Sequence, residues 1–322
     1  MMNLVRKSDY ESYDYREFWR DDKRSYEDNS ERLAIRKLLN QIDFKDKIFV
    51  DLGCGFGRLF NEYKNFDKII LVDYSLNNLK NAKDLITRFL NRDSEKLQNV
   101  YFIAADVNNL PFKSGSIDVV LTVRVVHHLS EPNNFFEEVK RIIKGRGYFF
   151  LEFANKRNMK NILKFFFRIL KQSPFNFTPF QIGDTILNFH PTFIKQVLQE
   201  KGFKVLKQIS VSNLRLAFLK KIISPKLLLL FENIYQNLFS FIGTGPSIFL
   251  KTIYATESCF NTSFNDSDAK MLEVKKFSKI MEILSCPSCR QDKLKFVPPD
   301  NVYCCYCKKD FLIVDNIYNF KL

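Results

Sequence analysis

Hydrophobic and polar positions in this chain change period several times. Charged and aromatic residues mix from residue 10 onward, and then Leu33, Ile35, Leu38, Leu39 and Ile42 recur at helical spacing, with Asn29 or Ser30 as the expected N-cap. "KIFVDLG" is short, continuously apolar and ends in glycine, which predicts a buried parallel strand. "GRLFNEYKNF" reads as a helix, "DKIILVDYS" as a second strand and "LNNLKNAKDLITRFLNR" as an amphipathic helix. "VYFIAADV" and "IDVVLTVRVV" supply two more strands, "PNNFFEEVKRIIK" a helix and "GYFFLEF" a fifth strand. Strands alternating with helices in this way predict βαβ units and an α/β, doubly wound sheet with helices on both faces.

The alternation loosens after residue 155. A basic, Phe-rich helix is expected first, then a proline-containing loop ("SPFNFTPFQIGD"). "HPTFIKQVLQEKGF" follows as a helix with Gly202 at C′, and "KVLKQISV" as a strand. Residues 214–255 are apolar and expected to be helical, ending in "GTGPSIFLKTIYA", and 256–276 are polar and aperiodic. These shifts divide the 322 residues into an N-terminal lid or helix (1–45), a main domain (46–255), a linker (256–276) and a small domain (277–322). Within the main domain, 156–190 is a basic and apolar insert and 214–250 a helical extension. The longest apolar stretch, 227–250, contains Glu232, Asn233, Gln236 and Asn237 and makes a poor membrane span.

The net charge of +14 is concentrated. Residues 156–227 hold fourteen Lys/Arg against Asp184 and Glu200. Such a segment attracts RNA, an anionic surface or an acidic substrate, or simply keeps the chain soluble. The N-terminus lacks an apolar signal core and the cysteines are clustered, so a cytoplasmic location is expected.

The most informative motif is "VDLGCGFGRL", residues 50–59. A buried strand ends in Asp51, and Gly53, Gly55 and Gly57 then let the backbone turn beneath a ligand before a helix. A dinucleotide fingerprint would read G-x-G-x-x-G, but Arg58 stands where its third glycine belongs. The Lys-Ser/Thr of a phosphate-binding loop is also missing, so a ligand without pyrophosphate fits better. Asp73 closes the second strand, where an acid can bind ribose hydroxyls, and Asp106 closes the third.

At these residues the chain resembles class I S-adenosylmethionine-dependent methyltransferases of the small-molecule branch. "VDLGCGFGRL" matches their first motif, "FIAADVNNLPF" the motif whose acid contacts the adenine, and "SIDVVLTVRVVHHLSEPNNFFEEVKRIIKGRGYFFLEF" the following strand, helix and strand. The resemblance implies a Rossmann-like seven-stranded sheet whose last strand is antiparallel. It also implies S-adenosylmethionine held by Asp51, Gly53, Cys54, Gly55, Gly57, Asp73, Tyr74, Asp106, Val107 and Arg124. In this fold an N-terminal helix often closes over the cofactor, which makes Tyr15, Trp19, Arg24 and Tyr26 lid residues, or else packing on the sheet edge. The Asn-Pro-Pro-Tyr motif for planar amino groups is absent, and Cys54 and Cys259 do not form a paired-cysteine RNA-cytosine site.

The sulfonium methyl is intrinsically reactive, so the protein must align an acceptor and, where needed, remove a proton. His128, after His127, is one candidate base, although such pairs are often structural. Arg124, inside an apolar run, is costly unless paired. It faces the acceptor or the cofactor carboxylate, or it pairs with a core acid. His190, before Pro191, touches substrate or caps a helix.

The tail carries five of the seven cysteines. Cys286, Cys289, Cys304 and Cys307 give C-x2-C-x14-C-x2-C, a zinc-ribbon spacing, with Cys305 left over. "KIMEILSCPSCRQDKLKF" and "YCCYCKKDFLIVDNIYNFKL" resemble small zinc-binding activators of RNA and translation-factor methyltransferases. Asp315-Asn316-Ile317-Tyr318 replaces their Asp-Gly-Ile-Pro. The resemblance implies a structural zinc ion and a contact between tail and main domain. The leading reading is therefore a methyltransferase acting on a small-molecule, lipid or glycan-precursor acceptor. An RNA or translation-factor methyltransferase, and a non-catalytic zinc-bearing interaction protein, stay open.

Overall fold

The periodic stripe around residues 33–42 lies on α1 (Ser25–Leu39), which buries Ala34, Ile35, Leu38 and Leu39. This helix starts earlier than its pattern predicts. Arg24 stands at the N-cap without a side-chain bond, and Tyr26, Glu27, Ser30 and Glu31 are buried by polar partners from other elements. The computed structural model describes residues 14–19, 24–91, 93–129, 131–183, 186–255 and 279–322, so the 256–276 linker and Cys259 lie outside the described residues.

Strands β1 (Ile48–Leu52), β2 (Lys68–Asp73), β3 (Val100–Ala104), β4 (Ile117–Thr122) and β5 (Ile143–Ala154) run parallel in the order β3-β2-β1-β4-β5. Between them lie α2 (Phe60–Tyr63), α3 (Leu76–Phe89), α4 (Ser94–Leu97) and α5 (Pro132–Ile142). Only α2 remains of the helix expected over "GRLFNEYKNF", because Gly57 N and Phe60 N close turns onto Cys54 O and Gly57 O instead. Ser75 caps α3 through Asn78 N, as its sequence position favours.

After β5 the chain leaves the sheet through α6 (Met159–Phe166), the hairpin of β6 (Phe180–Ile182) and β7 (Ile186–Asn188), and α7 (Pro191–Glu200). It returns as β8 (Phe203–Val211), continues through α8 (Ala217–Ile222) and α9 (Pro225–Leu238), and ends in β9 (Ser247–Tyr254). The predicted helical extension 214–250 thus needs correction. Its last residues begin β9, which inserts between β5 and β8 antiparallel to both. Buried on both faces over Ile248, Phe249 and Leu250, "IFLKTIY" has no clean strand alternation to reveal it, and Gly243, Gly245 and Pro246 stop the preceding helix. The resulting order, β3-β2-β1-β4-β5-β9-β8, is the expected Rossmann-like seven-stranded arrangement.

The tail extends this sheet. β10 (Leu294–Val297), β11 (Asn301–Cys304), β12 (Asp310–Val314) and β13 (Ile317–Asn319) form an antiparallel meander, and β13 pairs in parallel with β3. The β12–β13 turn is made by Asp315 and Asn316 with φ of 54° and 59°. Both are left-handed, as a two-residue hairpin of this hand requires, and Asn tolerates that conformation where relatives of the motif use glycine. The tail's Ile280, Leu284, Phe311 and Phe320 join Phe112, Phe135 and Phe136 in one apolar core. Arg290 donates to Glu138 Oε2 at 2.9 Å and to Leu110 O at 3.1 Å, fastening the tail to α5 and the loop after β3.

Candidate active site and metal centre

Asp51 and Asp73 stand at the carboxyl ends of β1 and β2 beside the glycine loop, and Asp106 follows the carboxyl end of β3, the next strand of the sheet. Asp51 is buried and accepts a 2.6 Å bond from the Tyr63 hydroxyl. Burial pushes its carboxyl up to about 7, with the Tyr63 bond and the Arg58 charge opposing the rise. The loop itself hangs from β2, since Gly53 N and Cys54 N both donate to Val72 O. Gly53 adopts φ 75°, and a Cβ there would lie 2.2 Å from Val125 Cγ2, so no other residue fits. Cys54 turns its thiol into the helix-side core, and burial raises its pKa well above the ordinary value, leaving backbone as its contribution to the loop.

Asp73 reads the loop directly. Its Oδ2 accepts from Gly55 N at 2.8 Å, and its Oδ1 accepts from Ser75 N at 2.9 Å. Asp106 is half-buried and accepts from Asn108 N at 2.9 Å, while Val107 is half-buried beside it. Tyr74 is exposed with Lys321 of the tail over its ring.

The 3-10 turn Tyr15–Trp19 covers the loop from outside. A Cβ on Gly55 would come within 3.2 Å of the Tyr15 ring, and Tyr15 packs edge-on to Phe56. Trp19 lies between two guanidinium groups, 3.9 Å from Arg58 and 4.8 Å from Arg124, and Arg24 stacks on Phe18 at 3.5 Å. Trp19, Arg24, Asp28, Asn29, Arg32 and Phe56 line part of a cleft of about 310 Å³ at this place. Tyr26 has a different position from the other lid candidates: it is buried and donates to Glu232 Oε2 at 2.7 Å, joining α1 to α9.

Arg124 follows β4 with φ 61°. Its Nε and Nη2 donate to Glu31 Oε1 at 2.9 and 2.5 Å, and its backbone N donates to Glu152 Oε2 at 2.7 Å. Burial alone would raise Glu31, but the Arg124 and Arg58 charges outweigh it and hold the carboxyl below its ordinary range. Glu152, buried at the end of β5, is raised by its burial. The sequence points to the arginine but to neither acid. One signal was available: Glu31 sits at i−4 and i−7 from Ile35 and Leu38, on the apolar stripe of α1.

The histidines separate. His127 and His128 form a 3-10 turn after β4 with ring centroids 4.3 Å apart. His127 is buried, which drives its pKa well down and keeps it neutral, whereas His128 is half-buried. His190 accepts from Thr192 N through Nδ1 and caps α7, beside Phe177.

In the tail, the sulfurs of Cys286, Cys289, Cys304 and Cys307 lie within 4.8 Å of one another, with Cys286–Cys307 and Cys289–Cys304 both at 3.6 Å. Four ligands about 2.3 Å from a tetrahedral zinc ion sit about 3.8 Å apart, so the quartet suits that ion. Cys305 is exposed and outside it.

The sheet order and the glycine loop define the fold of a class I S-adenosylmethionine-dependent methyltransferase. Residues 50–151 match the family described as "Methyltransferase domain". An uncharacterised protein of Methanocaldococcus jannaschii is 30% identical over 179 residues, 56% of this chain and 63% of that protein. A malonyl-[acyl-carrier protein] O-methyltransferase of a Marinomonas species is 31% identical over 140 residues, 42% of this chain and 47% of that enzyme. The chain thus spans less than two thirds of each of these relatives. Among solved structures, a chain from the complex of the Haloferax volcanii Trm112 methyltransferase activator with a methyltransferase superposes with a TM-score of 0.51. At 16% identity, covering 76% of this chain and 97% of that one, it shows the shared fold.

Proposed function

We propose that the chain transfers the methyl group of S-adenosylmethionine to a small-molecule, lipid-like or glycan-precursor acceptor. The observation that carries this reading is the set of three acids at successive strand ends, two of them beside a loop that admits no side chain at Gly53. The bound cofactor would supply an activated methyl on a sulfonium. The chain's own groups then have distinct tasks. Asp51 offers negative charge to the cationic amino-acid end, Asp73 accepts ribose hydroxyls, and Asp106 accepts from the adenine amino group. Tyr15 and Trp19 exclude water over the loop. Arg124, clamped by Glu31, shapes the wall beside Trp19, and His128, in the turn after β4, is the base we assign to take a proton from the acceptor. The Marinomonas relative is named for O-methylation of a malonyl group, which supports a small acceptor.

The tail is proposed as a helper that binds Zn2+ through Cys286, Cys289, Cys304 and Cys307 and stabilises the main domain in cis. Its contribution to the sheet edge through β13 supports that role. Calorimetry with S-adenosylmethionine, followed by transfer of labelled methyl into fractionated cell extract, tests the whole reading. Absence of cofactor binding would sink it, and label in RNA or protein rather than in small molecules or lipids would move the acceptor to the other class.

A further inference from the structure

Twenty of the twenty-eight large apolar side chains exposed among the described residues fall between Met159 and Ile242. They form a belt. On α9, Leu228, Glu232 and Gln236 are buried, while Leu227, Leu230, Phe231, Ile234 and Leu238 form the opposite, exposed stripe. The belt continues through Phe241 in the 3-10 turn Ser240–Ile242. Arg157 Nη2 donates to Ile242 O at 3.1 Å and Met159 N to Thr244 O at 2.8 Å, which seats the start of α6 against that turn. α6 buries none of its residues, and Phe166, Phe167 and Ile169 at its end are at least 69% exposed.

The charge on this belt has one sign. No Asp or Glu occurs in residues 153–183 or 201–231, and Glu232 is consumed internally by Tyr26, Ser212 and Asn213. Lys160, Arg168, Lys171, Lys221 and Lys226 are exposed among the apolar groups. Lysine is depleted at the centre of protein–protein interfaces. Stacking of RNA bases needs aromatic faces, and although five exposed Phe lie in 159–169 and 222–242, the nine other exposed apolar groups there are Leu, Ile or Met, which offer a base no such face. Apolar groups interspersed with lysine suit the headgroup and acyl boundary of an anionic membrane. Among the described residues no helix is long and apolar enough to cross a bilayer, so the belt fits in-plane contact.

We propose that the belt formed by residues 159–169 and 222–242 docks the protein onto the surface of an anionic lipid bilayer. The 159–169 part of the belt belongs to the insert after β5, whose strand β7 packs against the turn bearing His128, and the 222–242 part follows β8. An acceptor carried in the membrane would therefore approach the methyl-transfer site from the docked side. That last step rests on the methyltransferase reading, and the docking itself does not.

The test is co-sedimentation of the full chain with vesicles of phosphatidylglycerol and phosphatidylcholine, against phosphatidylcholine alone. The wild type is expected on the anionic vesicles and to dissociate as salt rises. Phe166→Ser/Phe167→Ser/Ile169→Ser and, separately, Ile222→Ser/Phe241→Ser should each weaken the partition by about tenfold or more. Lys221→Glu/Lys226→Glu, which removes no apolar contact, should weaken it too, and its unchanged thermal melt keeps the result interpretable. The proposal is overturned if the wild type ignores anionic vesicles, if all three variants bind like wild type, or if the substitutions abolish self-association or RNA binding while vesicle binding is untouched. None of these readouts depends on cofactor binding, so failure here is distinct from failure of the methyltransferase reading.

Discussion

Replacing Arg124 with methionine separates a wall residue from a chemical one. Glu31 is 1% exposed and receives bonds from two guanidinium groups, Arg124 and Arg58. Removing one partner of a buried pair costs about 3–5 kcal/mol, because the remaining charge keeps its desolvation penalty. Arg58 stays to neutralise Glu31, so Arg124→Met belongs at or just below the low end, about 2–3 kcal/mol. Glu31→Gln leaves two cations beside Trp19 with one neutral acceptor between them, and belongs at the high end. A double-mutant cycle over both positions should give a coupling of about 1.5–3 kcal/mol. Urea denaturation followed by tryptophan fluorescence suits the assay, because Trp19, the only tryptophan, lies between Arg58 and Arg124. Calorimetry with S-adenosylmethionine on the same variants completes the measurement. If Arg124→Met leaves stability within about 0.5 kcal/mol and coupling near zero but removes cofactor binding, the pairing argument is wrong and Arg124 acts on ligand.

Asp51→Asn should have a pH-dependent effect on stability. Burial raises the folded-state pKa to about 7, so Asp51 contributes fully to stability below about pH 4, and that contribution is lost as pH rises through 7. The variant should be more stable than wild type at pH 8, on the order of 2–4 kcal/mol, and not at pH 4, while binding S-adenosylmethionine more weakly; an equal shift at both pH values contradicts the assignment. For the metal centre, Cys304→Ser should lower bound zinc and thermal stability, whereas Cys305→Ser should leave metal content, read by elemental analysis, at the wild-type value. Ile317→Ala, at the β13–β3 seam, should cost about 2–4 kcal/mol for the whole molecule in one transition. A separate early transition confined to the tail would show that the sheet is not cooperative across that seam.

The sequence revealed what is local in sequence or carried by strong chemistry. Five parallel strands announced themselves as apolar runs, and the acids at their ends fell at readable positions. The cysteine spacing named the same four residues that the structure brings within 4.8 Å. What stayed hidden lies at long range. Glu31 and Arg124 meet across 93 positions: a core acid was one expected partner for Arg124, but nothing near it in sequence identified Glu31. β9 was hidden by its own burial, since a strand covered on both sides over Ile248, Phe249 and Leu250 shows no clean alternation. The pairing of β13 with β3 was also unreadable: Ile317 lies opposite Phe102, and a three-residue strand has almost no pattern of its own. Yet it covers an edge that would otherwise expose unpaired backbone.

Arg58 explains why the N-terminal segment is more than a cover. In a dinucleotide fingerprint the third glycine lets helix and strand approach closely. Here its place is taken by a side chain that turns outward to Asp28 Oδ1 at 2.6 Å and to Glu31. Arg32 of α1 returns the contact, donating to Arg58 O at 2.6 Å and to Glu62 Oε1 at 3.1 Å. α1 therefore grips the loop through both side chain and backbone of one residue. Ahead of it, the Tyr15–Trp19 turn meets the loop through its rings, Tyr15 on Phe56 and over Gly55 and Trp19 on Arg58. Among the described residues ahead of β1, α1 thus belongs to the scaffold that shapes the loop, because it holds Arg58 by side chain and backbone at once.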